Sequence, residues 1–263
     1  MKPMKLTARN YFIPKAERNY MSASQIKSFM TCEAATLAAI RGEYERPITA
    51  ALLVGSYVDA YFEGGLKKLQ TFISHHPEIV KRDGTLKADY VKADEMISRA
   101  TRDAAFMDYM DGQHQKILTG KICGVPFKCK LDVYRPGERI VDLKTVKDFE
   151  PQYLPEQGRV DFATAWRWPM QMAIYQRVVE QIEGKKLPCY IACITKQDPP
   201  DIGVFEIPQS MMDYEIEKLE DIIPYFDALK KGITTPNRCE KCAYCRATHE
   251  ITRPVGLDEL NII

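Results

Sequence analysis

The stretch "GVPFKCKLDVYRPGERIVDLKT" (Gly124–Thr145) decides how the chain is read. Two strand-like runs flank an "RPGE" turn, and each carries an aspartate. Side chains alternate along a strand, so Cys129, Leu131 and Val133 are expected on one face, with Lys128, Lys130, Asp132 and Tyr134 on the other. By the same rule Asp142 and Lys144 share a face, with Val141 and Leu143 packing the opposite way. Pairing through the turn then brings Asp132 and Asp142 together with Lys144 beside them. An exposed ion pair contributes only about 0–1 kcal/mol, a weak reason to place two acids on central strands. Two carboxylates and a backbone carbonyl are hard oxygen ligands suited to Mg²⁺ or Mn²⁺, which can bridge to a phosphate. A neighbouring ammonium can orient an attacking water and offset transition-state charge. Phosphodiester hydrolysis is the chemistry such a set serves.

Outward from this segment, a chain of 263 residues that is 45% hydrophobic can bury one large core with a helical addition. The expected organisation is a single domain over 1–263, with a helical N-terminal part at 1–110 and a Cys-rich segment at 236–250. Net charge is only +1, so any attraction for a polyanion has to come from a local patch. No apolar run is long enough to span a bilayer, and "MKPMKLTARNYF" lacks the apolar core of a signal peptide, so a cytosolic protein with no membrane contact is expected.

Helices are expected over "SASQIKSFMTCEAATLAAIRG", over "ITAALLVGSYVDAYFEGG" stopped by Gly64 and Gly65, and over "DGTLKADYVKADEMISRATRDAAFMDYM". "QKILTGKICG", "FKCKLDVY" and "RIVDLKT" form a three-stranded meander. A helix follows over "DFATAWRWPMQMAIYQRVVEQIEG", with Pro169 near its start or at a kink, then strands "PCYIACITKQ" and "GVFEIP", then a last long helix. This order predicts an α/β fold with a central mixed β-sheet flanked by helices on both faces.

Asp132, Asp142 and Lys144 resemble the D…(D/E)xK signature of the PD-(D/E)XK nuclease superfamily, whose core is restriction-endonuclease-like; the literal Pro-Asp is Leu-Asp here. "LLVGSYVDAYFEG" is similar to the Gly-x-x-x-His helix of the RecB-like branch, with Asp59 where the metal-binding histidine stands and Glu63 one turn on as a further oxygen ligand. Gln171 and Tyr175 in "QMAIYQ" resemble the Gln-x-x-x-Tyr motif of RecB-like and phage RecE-like nucleases, which puts a polar pair near metal and DNA. The resemblance runs over about residues 22 to 250. It implies Mg²⁺ or Mn²⁺ on Asp59, Asp132, Asp142 and Glu63, and an exonuclease acting on linear double-stranded DNA for recombination or repair, supplying a single-strand annealing protein. A CRISPR-associated end-trimming nuclease and a catalytically silent DNA-binding module are the alternatives. An oligomer is compatible with either.

Cys239, Cys242 and Cys245 in "RCEKCAYCR" are one ligand short of a closed site, and Cys32 can complete it. This arrangement resembles the [4Fe–4S] staple that joins the chain ends of RecB-like nucleases; a structural Zn²⁺ on four thiolates, and four free thiols, are the other readings. Cys123, Cys129, Cys189 and Cys193 are read as small core residues. Lys128, Lys130, Lys147 and Arg167 are the candidate DNA contacts, joined by Arg159 and Arg177, with Trp166 and Trp168 as candidates for stacking on unpaired bases. His75 and His76 are given no role.

Overall fold

The β-meander is built around a two-residue hairpin turn. Strand β1 (Gln113–Ile122) and strand β2 (Val125–Arg135) pair antiparallel from Ile122↔Val125, with Cys123 (φ 51°) and Gly124 (φ 76°) both left-handed as a turn of this length requires. The computed structural model describes residues 4–155, 157–251, 253–254 and 256–257. Strand β3 (Arg139–Val146) returns from β2 through the Pro136–Gly137 turn and then runs parallel to strand β6 (Cys189–Thr195). Strand β7 (Ile202–Glu206) closes the sheet antiparallel to β6, giving the order β1-β2-β3-β6-β7. A separate small hairpin, β4 (Gln152–Leu154) with β5 (Gly158–Val160), lies between β3 and the segment beginning at Asp161, where no element was expected.

Helices cover both faces, as the element order predicts. One face packs residues of α2 (Ala23–Thr31), α3 (Glu33–Arg41), α8 (Trp168–Glu183) and α9 (Gln209–Lys230) around Phe127, Leu131, Ile140 and Ile191. The other packs α4 (Ala50–His75), α5 (Ala88–Thr101) and α6 (Ala104–Tyr109) on Val133, Val141, Leu143 and Ile194. The remaining helices are short: α1 (Pro14–Asn19), α7 (Phe162–Ala165) and α10 (Ala243–Ala247). No helix among the described residues is long and apolar enough to cross a membrane.

Three expected helices are interrupted and a fourth runs on past its expected stop, each for a local reason. Cys32 is extended (φ −162°, ψ 112°); it ends α2 and its Sγ caps α3 by accepting from Ala35 N. Gly64 and Gly65 break α4 as predicted, but helix resumes beyond them and carries His75. Asp103 leaves the helical region and caps α6, splitting the third helix. Arg167, left-handed at φ 54°, separates α7 from α8, and Pro169 occupies the first turn of α8, where its missing N–H costs nothing.

The regular alternation of β2 fails at Asp132. Phe127, Cys129 and Leu131 enter one core, but Val133 enters the opposite core and Tyr134 returns to the first. Gln115, facing this point on β1, has φ 51°, and neither β1 nor β3 pairs with Asp132 in the ladder. Asp132 Oδ2 instead accepts the backbone N–H of Leu143 at 3.0 Å. The side chain replaces a ladder carbonyl, so β2 and β3 fork there.

Candidate active site and thiol cluster

The fork places Asp132 between the strands, its second oxygen taking a hydrogen bond from Gln115 Nε2 at 3.1 Å. Burial, and then the charges of Asp142 and Asp59, hold its carboxyl well above the usual carboxylate range. Asp142, 2% exposed, projects from β3 toward α8. Gln171 Nε2 donates to its Oδ1 at 2.8 Å and lies 3.4 Å from the Tyr175 hydroxyl, so the i, i+4 pair read from "QMAIYQ" does face the aspartate. Burial keeps the Tyr175 hydroxyl protonated. Lys144 Nζ forms an ion pair with Asp142 Oδ2 and donates to Leu143 O at 3.3 Å. Burial opposes the charge on Lys144, but Asp142, Asp132 and Asp59 outweigh it and hold the ammonium protonated. The Lys144 contact is close but misaligned, and it leaves Asp142 Oδ2 buried without a hydrogen bond.

Asp59 comes from α4, which meets β3 where Gly55 faces Thr145. One turn beyond Gly55, Asp59 is half-buried, makes no hydrogen bond or ion pair among the described residues, and has its carboxyl pushed up to about 6 by burial, with Lys144 opposing and Asp142 adding to the rise. Glu63 lies one turn further and pairs with Lys68 at 3.0 Å. Asp59, Glu63 and Asp132 line one cavity of about 550 Å³, together with Gln115, Lys130 and His75. Asp142 Oδ2, which has an ion pair but no hydrogen bond, and the Asp59 carboxylate are oxygens of the kind a hard divalent cation takes. The carboxylates are more widely spaced than the thiols described below, which alone among the described residues form a group of three or more such donors within 4.8 Å.

Of the expected DNA contacts, Lys128 is a correction. It is 1% exposed, pairs with Glu17 at 2.6 Å and donates to Tyr11 O at 2.5 Å. The N-terminal segment lies along β2, bridging Met21 to Phe127, and covers the face on which Lys128 was expected to meet solvent. Lys130 remains accessible and lines the cavity. Lys147 is exposed and paired only with Asp148 at 3.3 Å. Arg167 is exposed, donates to Met30 Sδ at 3.3 Å, and lies close enough to Lys27 for its charge to act there. Arg159 and Arg177 are exposed, and Arg177 is held by Glu180 at 3.1 Å. The two tryptophans separate: Trp166 is exposed and Trp168 is buried.

Sequence reasoning missed Lys27. Its ammonium donates to Gln171 Oε1 at 2.9 Å, and burial, followed by the Lys144 charge, brings its pKa down to about 8. The one available signal was a lysine among the apolar residues Ile26, Phe29 and Met30. Gln115, Phe12 and His75 were also missed, because they meet the site only through the fold.

The thiols converge as expected. Cys32 Sγ lies 3.6 Å from Cys245 Sγ across 213 residues, Cys239 Sγ lies 3.9 Å from Cys245 Sγ, and all four sulfurs fall within 4.8 Å of one another. Cys239 Sγ accepts from Cys242 N, and Cys242 Sγ from Cys245 N. Backbone N–H groups bring the Cys239 pKa down to about 6, toward the thiolate a metal requires, while burial pushes Cys245 up to about 12. Of the other cysteines, Cys129, Cys189 and Cys193 are core residues, but Cys123 is exposed because it sits in the hairpin turn.

A search of curated proteins finds no match. The crystal structure of a presumptive exonuclease from Eubacterium rectale superposes with a TM-score of 0.94 at 38% identity, covering 98% of both chains. The model of the family described as "PDDEXK-like domain of unknown function (DUF3799)" matches residues 22–248, which include the forked strands, the Gly55–Asp59 helix, the Gln171–Tyr175 pair and all four clustered thiols, and the chain belongs to that family.

Proposed function

We propose that this nuclease-fold protein is a metal-dependent deoxyribonuclease that digests linear double-stranded DNA from its ends, in the cytoplasm, for recombination or repair. The observation that carries this reading is the chain Lys144–Asp142–Gln171–Lys27, joined by one ion pair and two hydrogen bonds, whose Asp142 and Lys144 charges act on Asp132 and Asp59, two residues that line an open cavity. Asp59, Asp132 and Asp142 would hold Mg²⁺ or Mn²⁺, with Glu63 available in support; such an ion supplies Lewis acidity at the scissile phosphate. Lys144, kept protonated by three carboxylates, presents positive charge to the phosphoryl group as negative charge develops on it. Gln171 fixes the Asp142 rotamer from behind, and Tyr175 offers that amide a neutral oxygen. The presence of a buried Asp142 paired with a half-buried Lys144 favours an active enzyme over a silent binding module. A single-strand annealing protein is the partner that the resected product would serve.

The sulfur cluster has a separate, structural role. A tetrahedral ion bound at about 2.3 Å sets sulfur separations of about 3.8 Å, close to the 3.6 and 3.9 Å found. A [4Fe–4S] cube gives each thiolate its own iron and needs the sulfurs spread further. These two spacings favour one Zn²⁺, with a [4Fe–4S] cluster as the alternative that the metal content decides.

The test of function is digestion of end-labelled linear and circular DNA with Mg²⁺, with Mn²⁺ and with EDTA. Linear DNA should be shortened from its ends only when metal is present, and folded Asp142→Asn and Lys144→Ala proteins should be slower by at least about a hundredfold. Wild-type rates in either variant, or digestion in EDTA, would place the chemistry elsewhere.

A further inference from the structure

We infer that the cavity leading away from Asp59 and Asp132 is a nucleotide subsite, which receives one deoxynucleoside monophosphate unit beside the scissile bond. This rests on the nuclease reading above and adds the occupant of the space next to it. The volume of about 550 Å³ lies in the range that small-molecule sites occupy. Its walls come from three distant parts of the chain: the N-terminal segment with Phe12, both halves of α4, and the β1–β2 pair. The break at Gly64–Gly65 matters here, because it redirects α4 so that Asp59 before it and His75 after it face the same space.

Asp59, Glu63 and Asp132 supply the carboxylates of the lining, and Glu63 is already paired with Lys68. Lys130 is half-buried in the wall, and among the described residues no hydrogen bond or ion pair holds its ammonium, which lies 5.4 Å from the centre of the Phe12 ring. Its charge also acts on Asp59, but an ammonium with no hydrogen bond or ion pair in a cavity wall is available to a phosphate. His75 Nδ1 lies 2.7 Å from Thr71 O, an acceptor only, so Nδ1 carries the proton and Nε2 is left for a ligand. Phe12 is 68% exposed at the rim, an apolar ring left in water in the position where a base can stack on it.

The probe is thymidine 5′-monophosphate, titrated by calorimetry into the full chain in EDTA and again in Ca²⁺, beside thymidine 3′-monophosphate, inorganic phosphate and the tetranucleotide dT4. The 5′-monophosphate should bind more tightly than phosphate, with Kd below ~1 mM. Phe12→Ala and His75→Ala, checked for wild-type melting, should each weaken it, Phe12→Ala by roughly fivefold or more. If dT4 outcompetes the mononucleotide and shows the same sensitivity to Phe12 and His75, the occupant is the strand terminus; if the mononucleotide inhibits digestion with a constant equal to its Kd, it is the released product. Either result supports the subsite. Binding no tighter than phosphate, or binding indifferent to both substitutions, overturns it. Normal digestion without mononucleotide binding would remove the subsite alone, whereas mononucleotide binding by a protein inert toward DNA in every metal would remove the nuclease reading and keep the subsite.

Discussion

Replacing Asp59 by Asn should stabilise the metal-free protein. Asp59 has no hydrogen bond to lose, and its carboxyl is raised from the ordinary 3.8 to about 6 by burial and the Asp142 charge. At 1.36 kcal/mol for each pH unit, ionising it in the folded chain above pH 6 costs roughly 3 kcal/mol. A group whose folded pKa is raised contributes stability fully below its unfolded pKa and loses it as pH rises through the folded value. The wild type therefore weakens between about pH 4 and pH 6, and the neutral Asn does not. In EDTA at pH 7.5, Asp59→Asn should melt several degrees above wild type, at about 2–4 °C for each kcal/mol in a chain near this size. The difference should shrink to nothing near pH 4. Mg²⁺ should invert the ranking, since only the wild type gains from the ion. Scanning calorimetry at a series of pH values, with EDTA and with Mg²⁺, measures all three effects. A variant less stable than wild type in EDTA, or a gap that does not change with pH, refutes the account of Asp59 as a buried, unpartnered carboxylate.

Gln171→Leu removes the donor that orients Asp142 and should lower the turnover number by about 10–100-fold while the fold is kept, measured by single-turnover digestion. Lys128→Met should destabilise by about 1–3 kcal/mol, because Tyr11 O and Glu17 lose their donor, yet leave DNA affinity unchanged; reduced affinity in the folded variant would restore Lys128 to the DNA contacts. Protein purified without oxygen should be colourless and carry one zinc per chain by elemental analysis, and Cys32→Ser should lose that zinc and melt lower. Brown protein with absorbance near 400 nm would show that the sulfurs open to accept an iron–sulfur cluster.

What the sequence made legible follows from the range of the interactions involved. The shared face of Asp142 and Lys144, with Leu143 and Val141 opposite, needed only the two-residue period of a central strand, and β3 keeps that period. The Gln171–Tyr175 pair needed only the i, i+4 spacing of a helix. The face change at Asp132 carries no local signal, because it arises when a side chain takes a ladder position on another strand. Lys128 was misread for a related reason: its cover comes from Tyr11 and Glu17, more than a hundred residues earlier. Gly64 and Gly65 were legible as a break but not as a bend from which helix resumes, and the cavity with its His75 wall was lost with that distinction.

The N-terminal segment shows why remote parts of this chain act on one site. It is fastened to β2 by the Met21–Phe127 bridge and the Glu17–Lys128 pair, and to the C-terminal segment by Cys32. Between these fixings run Ser22, which caps α2, and Lys27, whose ammonium meets Gln171. Cys32 is the residue at which α2 ends, five positions beyond Lys27, so the thiol cluster holds the helix that presents this cation. A closure spanning more than two hundred residues gives up chain entropy that grows only slowly with its length, and the metal–thiolate bonds proposed above would exceed it. The cluster is thus chemically separate from Asp132 and Asp142 but mechanically joined to them through one helix and two hydrogen bonds, Lys27 to Gln171 and Gln171 to Asp142. Loosening the clip should misplace Lys27 and Gln171 before it unfolds the sheet, so a thiol-depleted protein should lose turnover while the β-sheet signature in circular dichroism is still intact.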